Sequence, residues 1–142
     1  PAFAEAMRRY SLPETLYKFG IPSRILLHVQ GQAEPGAGTQ ASILLLYDDL
    51  GILVDYWFLD VVTQDSETGA LQVCPNYENT YSISLYLQNT QNNNPLERMI
   101  GGVNDYALNY LLKPVQDITT FQVEDFYNLF VGPNKKACFE VP

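Results

Sequence analysis

The chain has 142 residues, 46 % of them hydrophobic, and its 16 acids against 8 bases give a net charge of −8. That length and apolar content suffice to bury a core without metals and exclude a disordered chain. So acidic a chain repels phosphate backbones and carries no basic run to hold anionic lipid, so nucleic acid and a charged membrane surface are not expected partners.

The sequence starts at Pro1, as a processed product or an excerpt of a longer protein would, so any signal or lipid anchor is expected outside it. Phe3, Met7 and Tyr10 recur at i, i+4 and i+7 and predict a short helix. Leu12, Leu16 and Phe19 predict a second one. Ser11 and Glu14 have the spacing of a capping box, and Pro13 falls in the first turn, where its missing N–H costs nothing. Gly20 and Pro22 end this helix.

RILLHVQ reads as a first strand, GQAEPGAGT as a loop, ASILLLYDD as a second strand and GILVDYWFLDVV as a third. The third is apolar on both faces, with Ile52, Val54, Tyr56 and Phe58 on one and Leu53, Trp57, Leu59 and Val61 on the other. Such a strand is central or covered on both sides. Its apolar run, broken by Asp55 and Asp60, is too short to span a membrane. TQDSETGALQVCPNYENT reads as a long loop, ISLYLQ as a half-exposed strand and NTQNNN as a polar loop. Three helical pieces follow: PLERMIGG, NDYALNYLLK up to Pro114, and VEDFYNLFVG, with Val123, Phe126, Tyr127 and Phe130 on one face and Gly132-Pro133 as its stop. No repeat at a solenoid period occurs. The expected fold is α+β: two short N-terminal helices, an antiparallel meander of three to four strands, and a helical C-terminal segment. It is read as one domain over 1–142, with a helix–helix–three-strand unit at 1–62 and residues 63–142 packed on it.

Cys74 and Cys138 lie 64 positions apart, each in a loop-like setting (QVCPN, KKACFE). They are expected to pair in an extracytoplasmic protein, pinning the C-terminal tail to the middle of the chain.

Asp48-Asp49-Leu50-Gly51 lies between two strands. Asp accepts local backbone N–H bonds and Gly supplies a positive φ, so these residues predict a hairpin turn rather than a carboxylate site. The oxygen spacing of a calcium loop is absent. Asp55 and Asp60 interrupt apolar faces and are expected at a rim or paired with a base such as Arg24. His28, the single histidine, sits within a strand without zinc-ligand spacing or a nucleophile turn beside it, and is expected to face solvent or pack on aromatics. Gly101-Gly102 lacks the lysine of a phosphate loop, and Lys135-Lys136 is too small for an electrostatic platform. No metal or cofactor is expected.

LPETLYKFGIPSRILL followed by ILLLYDDLGILVDYW resembles the SmpA/OmlA (BamE-like) envelope lipoprotein domain, with Leu16, Gly20, Pro22, Tyr47, Asp49, Gly51 and Tyr56 at matching positions over about the first 60 residues. VEDFYNLFVGPNKKACFEVP is more loosely similar to the C-terminal part of uncharacterised bacterial surface lipoproteins. That family's domain is shorter, so the region after Val62 has no counterpart, and the lipidated cysteine that precedes it has no match here. The resemblance implies a small envelope domain that binds other proteins, and it implies no catalytic residues. The leading expectation is therefore a non-catalytic extracytoplasmic accessory or structural protein that docks other envelope or surface proteins. Its docking residues are expected among Tyr56, Trp57, Phe58, Tyr81 and Tyr86. The alternative is a small-ligand or glycan-binding module; a hydrolase built on a carboxylate pair ranks last.

Overall fold

The computed structural model describes residues 2–87, 112–133 and 135–142 of this mixed α+β protein. Helix α1 (Ala2–Arg9) and helix α2 (Leu12–Phe19) open the chain. Strands β1 (Arg24–Gln30), β2 (Gln40–Tyr47) and β3 (Ile52–Leu59) follow as an antiparallel meander. Next come β4 (Val62–Gln64), β5 (Leu71–Val73), β6 (Thr80–Leu87) and β7 (Lys113–Pro114). Helices α3 (Val115–Ile118) and α4 (Val123–Phe130) precede β8 (Phe139–Val141). One sheet has the order β6-β3-β2-β1-β7 and a second has the order β4-β5-β8.

Several sequence expectations are corrected. The twelve-residue third strand is two strands, because Asp60 adopts a left-handed φ of 57° and turns the chain out of one sheet and into the other. Asp tolerates that region better than most side chains. The break is fixed by Asp60 N–H donating to the Thr39 carbonyl at 2.9 Å, and by Cys74 N–H donating to the Val61 carbonyl at 2.9 Å. The stretch read as a long loop holds the β4–β5 hairpin, whose turn is tied by Asp65 Oδ1 accepting the backbone N–H groups of Glu67 and Thr68. Strands of three residues are too short to leave an alternating pattern. Lys113, read as the end of a helix, pairs with Leu27 in β1. PLERMIGG, NTQNNN and the NDYALNYL part of NDYALNYLLK, Gly101-Gly102 included, lie outside the described residues.

The inner face of the larger sheet carries the core. Ile25, Leu27, Ile43, Leu45, Val54, Tyr56 and Phe58 pack under Leu12 and Leu16 of α2. Phe126 and Phe130 of α4 join the same cluster, as do Val62, Val73 and Phe139 of the smaller sheet. Residues before and after Val62 thus share one apolar cluster. Strand β2 is buried from Ala41 to Tyr47 on both faces, as a middle strand should be. On the sheet's other face Leu44, Leu46 and Leu53 form a smaller cluster flanked by Leu26, Tyr86 and Leu112.

Two buried tyrosines clamp α2 at its ends. Tyr56 Oη donates to the Tyr10 carbonyl at 3.0 Å and bonds the Thr15 hydroxyl; Tyr47 Oη donates to the Gly20 carbonyl at 2.9 Å. Burial pushes both phenols above the ordinary tyrosine range, and a satisfied buried hydroxyl of this kind contributes about 1 kcal/mol. Gly20 closes the helix at φ 81° and ψ −157°, a region essentially reserved for glycine. Phe3 and Tyr10, two members of the first helical stripe, are exposed rather than buried. The expected Ser11–Glu14 capping box does not form: Ser11 is the N-cap but makes no side-chain capping bond. The box that forms is at α4, where Asp125 Oδ2 accepts from the backbone N–H of Gln122 at 2.8 Å.

Candidate functional site

The five residues expected to dock a partner divide by strand parity. Tyr56 and Phe58 point inward and are buried in the core, so they are corrected from interface to core residues. Alternation along a pleated strand puts their neighbour Trp57 on the opposite face, where it is 37 % exposed. A register shift in β3–β6 pairing between Trp57 and Phe58 swings Tyr81, 58 % exposed, beside the indole. Their ring centroids are 4.6 Å apart in an edge-to-face arrangement, and Trp57 Nε1 donates to Gln40 Oε1 at 3.1 Å. Tyr86 is half-buried against the Leu44–Leu46–Leu53 cluster.

Further apolar exposure lies on β6. Among the described residues it is an end strand, and Leu85 and Leu87 stand exposed on it. Leu85 and Ile83 form one wall of a groove whose other wall is Met7, Tyr10 and Phe19 from α1 and α2, with Val54 also lining it. The groove encloses about 450 Å³ and its lining is mainly apolar. Arg9 and Lys18 line it as well, and Lys18 Nζ sits 5.7 Å from the centroid of the Tyr10 ring, within cation–π range. Sequence reasoning missed this wall. The helical spacing of Met7 and Tyr10 predicts a helix but does not say what its apolar face meets.

The acids behave as their positions dictate. Asp48-Asp49-Leu50 is a short 3₁₀ turn closed by Gly51 at φ 65°, the hairpin turn anticipated. Asp48 accepts a two-pronged ion pair from Arg24, Nη2–Oδ1 2.9 Å and Nε–Oδ2 3.2 Å. Asp60 is exposed at a strand end, one of the two expected settings. Asp55 is different. It faces Leu44 on one side and Ser84 on the other, and no salt bridge reaches it among the described residues. Burial raises its carboxyl to about 6. The sign follows directly. The folded chain holds this proton more tightly than the unfolded chain, so the contribution to stability is greatest below the unfolded value near 4 and is lost as pH rises to about 6. Asp55→Asn is therefore expected to be more stable than the natural protein at pH 8 by about 2 kcal/mol, with the advantage vanishing near pH 4. Urea denaturation at the two pH values checks this, and an equal difference at both would contradict it.

His28 is half-buried on β1, opposite Ser42 and on the same outer face as Trp57. Among the described residues no group of three or more His, Cys, Asp or Glu side chains converges on one point. Cys74 and Cys138 are joined, and they continue the β5–β8 register by one step beyond Val73–Phe139. No helix among the described residues is long and apolar enough to cross a membrane. Neither a family model, nor a curated protein, nor a solved structure matches this chain.

Proposed function

We propose that this protein is a non-catalytic accessory subunit of an extracytoplasmic assembly and that it holds a protein partner along the outer edge of β6. The observation that carries this reading is apolar surface on a sheet edge. Among the described residues no strand pairs with the outer side of β6, yet Tyr81, Leu85 and Leu87 are exposed on it. Soluble proteins blunt such edges with lysine or proline, because an exposed apolar edge recruits further strands. Thr80–Leu87 contains neither residue.

An extended partner segment would extend the sheet through main-chain hydrogen bonds and place alternate side chains in the groove between β6 and the helices. Arg9 and Lys18 in that groove favour a segment flanked by acids. The Trp57–Tyr81 pair carries the apolar surface round to the sheet's other face. The Cys74–Cys138 disulfide supports an oxidising compartment. The resemblance of the first 60 residues to the SmpA/OmlA envelope domain supports a protein-binding role.

The test is purification of the native protein with whatever it holds, followed by cross-linking and mass spectrometry without reductant. The expected result is a partner in fixed ratio whose cross-links fall on β6, and its loss from Leu85→Lys, which charges the edge without touching the core. A lone monomer, or a partner retained by Leu85→Lys, would sink the reading.

A further inference from the structure

A second cavity, of about 240 Å³, lies on the disulfide side of the molecule. One wall is the start of α2, with Ser11 and Leu12. The opposite wall comes from the two segments that flank the disulfide: Asn76 and Tyr77 follow Cys74, and Lys135 and Lys136 precede Cys138. Arg8 completes the rim.

Charge and hydrogen bonding here run against the rest of the chain. A protein of net charge −8 with eight basic residues places three of them, Arg8, Lys135 and Lys136, around this one cavity. Arg8 is engaged by Glu5, with Nε–Oε2 at 3.0 Å. Neither lysine pairs with a carboxylate among the described residues. Ser11 keeps only 8 % of its surface exposed, and its hydroxyl caps nothing and has no hydrogen-bond partner among the described residues. Such a buried group is costly unless something satisfies it, and native proteins retain few of them. It stands at the N-terminus of α2, where first-turn amides and the helix dipole favour an anion.

We propose that this cavity binds a small organic oxyanion, a carboxylate or phosphate head carried on a short apolar or aromatic body. The head accepts from the Ser11 hydroxyl and from the Leu12 and Glu14 amides, since Pro13 has no N–H and the Thr15 N–H is donated to the Ser11 carbonyl, and Lys135 and Lys136 neutralise it. The body lies against Leu12, Phe58 and Tyr77. The volume is below the roughly 300–1,000 Å³ of sites for drug-sized ligands, which limits the body to about one ring. The disulfide holds the two flanking segments together and so fixes the shape of the wall that faces α2. This binding is independent of the edge of β6.

Titration of the oxidised protein with phenyl phosphate and with benzoate, followed by NMR or calorimetry, tests the proposal, with neutral benzamide as the control. Saturable binding of either anion is expected, weakening as salt is added. A loss of affinity of about tenfold is expected in Ser11→Ala and in the double variant Lys135→Gln/Lys136→Gln. Preference for phenyl phosphate assigns a phosphate head and preference for benzoate a carboxylate; both support the site. The lysines are exposed, so their variant keeps the fold and remains informative if Ser11→Ala does not. Three results overturn the proposal: no binding of either anion with Kd below about 10 mM, equal binding of benzamide, or binding unchanged in the lysine variant.

Discussion

Reducing the Cys74–Cys138 bond, or replacing both residues in Cys74→Ser/Cys138→Ser, is expected to destabilise the protein by about 4 kcal/mol and to lower Tm by on the order of 10 °C. The bond closes a loop of 64 residues, and most of its effect lies in the freedom it removes from the unfolded chain. The native state depends on it as well. Strand β8 has three residues and, among the described residues, a single neighbour, β5, so its pairing is weak without the covalent tie. Yet β8 delivers Phe139 to the core, against Phe126 at 5.5 Å. Reduction should therefore first expose the amides of Phe139–Val141 and Leu71–Val73 to exchange, while β1–β3 stay protected. Thermal melts with and without reductant, with thiol release confirmed by mass, give the answer. A Tm that stays in place after complete reduction would contradict it.

Phe126→Ala is the second large effect, an expected loss of about 3–5 kcal/mol. Phe126 is fully buried, and its ring lies 4.7 Å from Phe130 and 5.5 Å from Phe139. Its ring contact with Phe139 joins α4 to the smaller sheet. Truncation would leave a cavity whose walls belong to a helix and a cross-linked strand, neither able to collapse freely. Phe3→Ala is the natural control. Phe3 is 67 % exposed, so the same truncation should change stability by no more than about 0.5 kcal/mol. Denaturant curves for the two variants should differ severalfold. A Phe126→Ala loss below about 1 kcal/mol would mean that α4 is not part of the cooperative core.

The contrast between those two phenylalanines separates what local pattern could reveal from what it could not. Both sit on stripes of helical spacing. The α4 stripe meets the core, and the α1 stripe faces the groove, because a period of 3.6 identifies an apolar face and not what covers it. Strand parity had the same limit. The two apolar faces of β3 were legible, but which one would receive the helices was not, so Tyr56 and Phe58 were grouped with Trp57 as partner-facing residues. Capping shows a further limit. Ser11 and Glu14 have the right spacing, yet the side chain of Ser11 is buried at the disulfide-side cavity and makes no cap, while Gln122 and Asp125 form the box with less typical residues.

The sequence by itself determined the features written in local chemistry. These are the α+β class, the end of α2 at Gly20, the hairpin at Asp48–Gly51, the helix around Phe126, and a pair of cysteines in loops. Each depends on a few neighbouring residues and on backbone preferences that act without the rest of the chain. Only the tertiary structure decided the features that need distant segments brought together. It split the third strand at Asp60 to build a second sheet, set the expected Cys74–Cys138 bond one step beyond the β5–β8 ladder, left Leu85 on an edge that no described strand covers, and gathered Ser11 and Lys135 around one cavity. Burial and contact belong to pairs of residues far apart in the chain, and one local pattern is compatible with several such pairings.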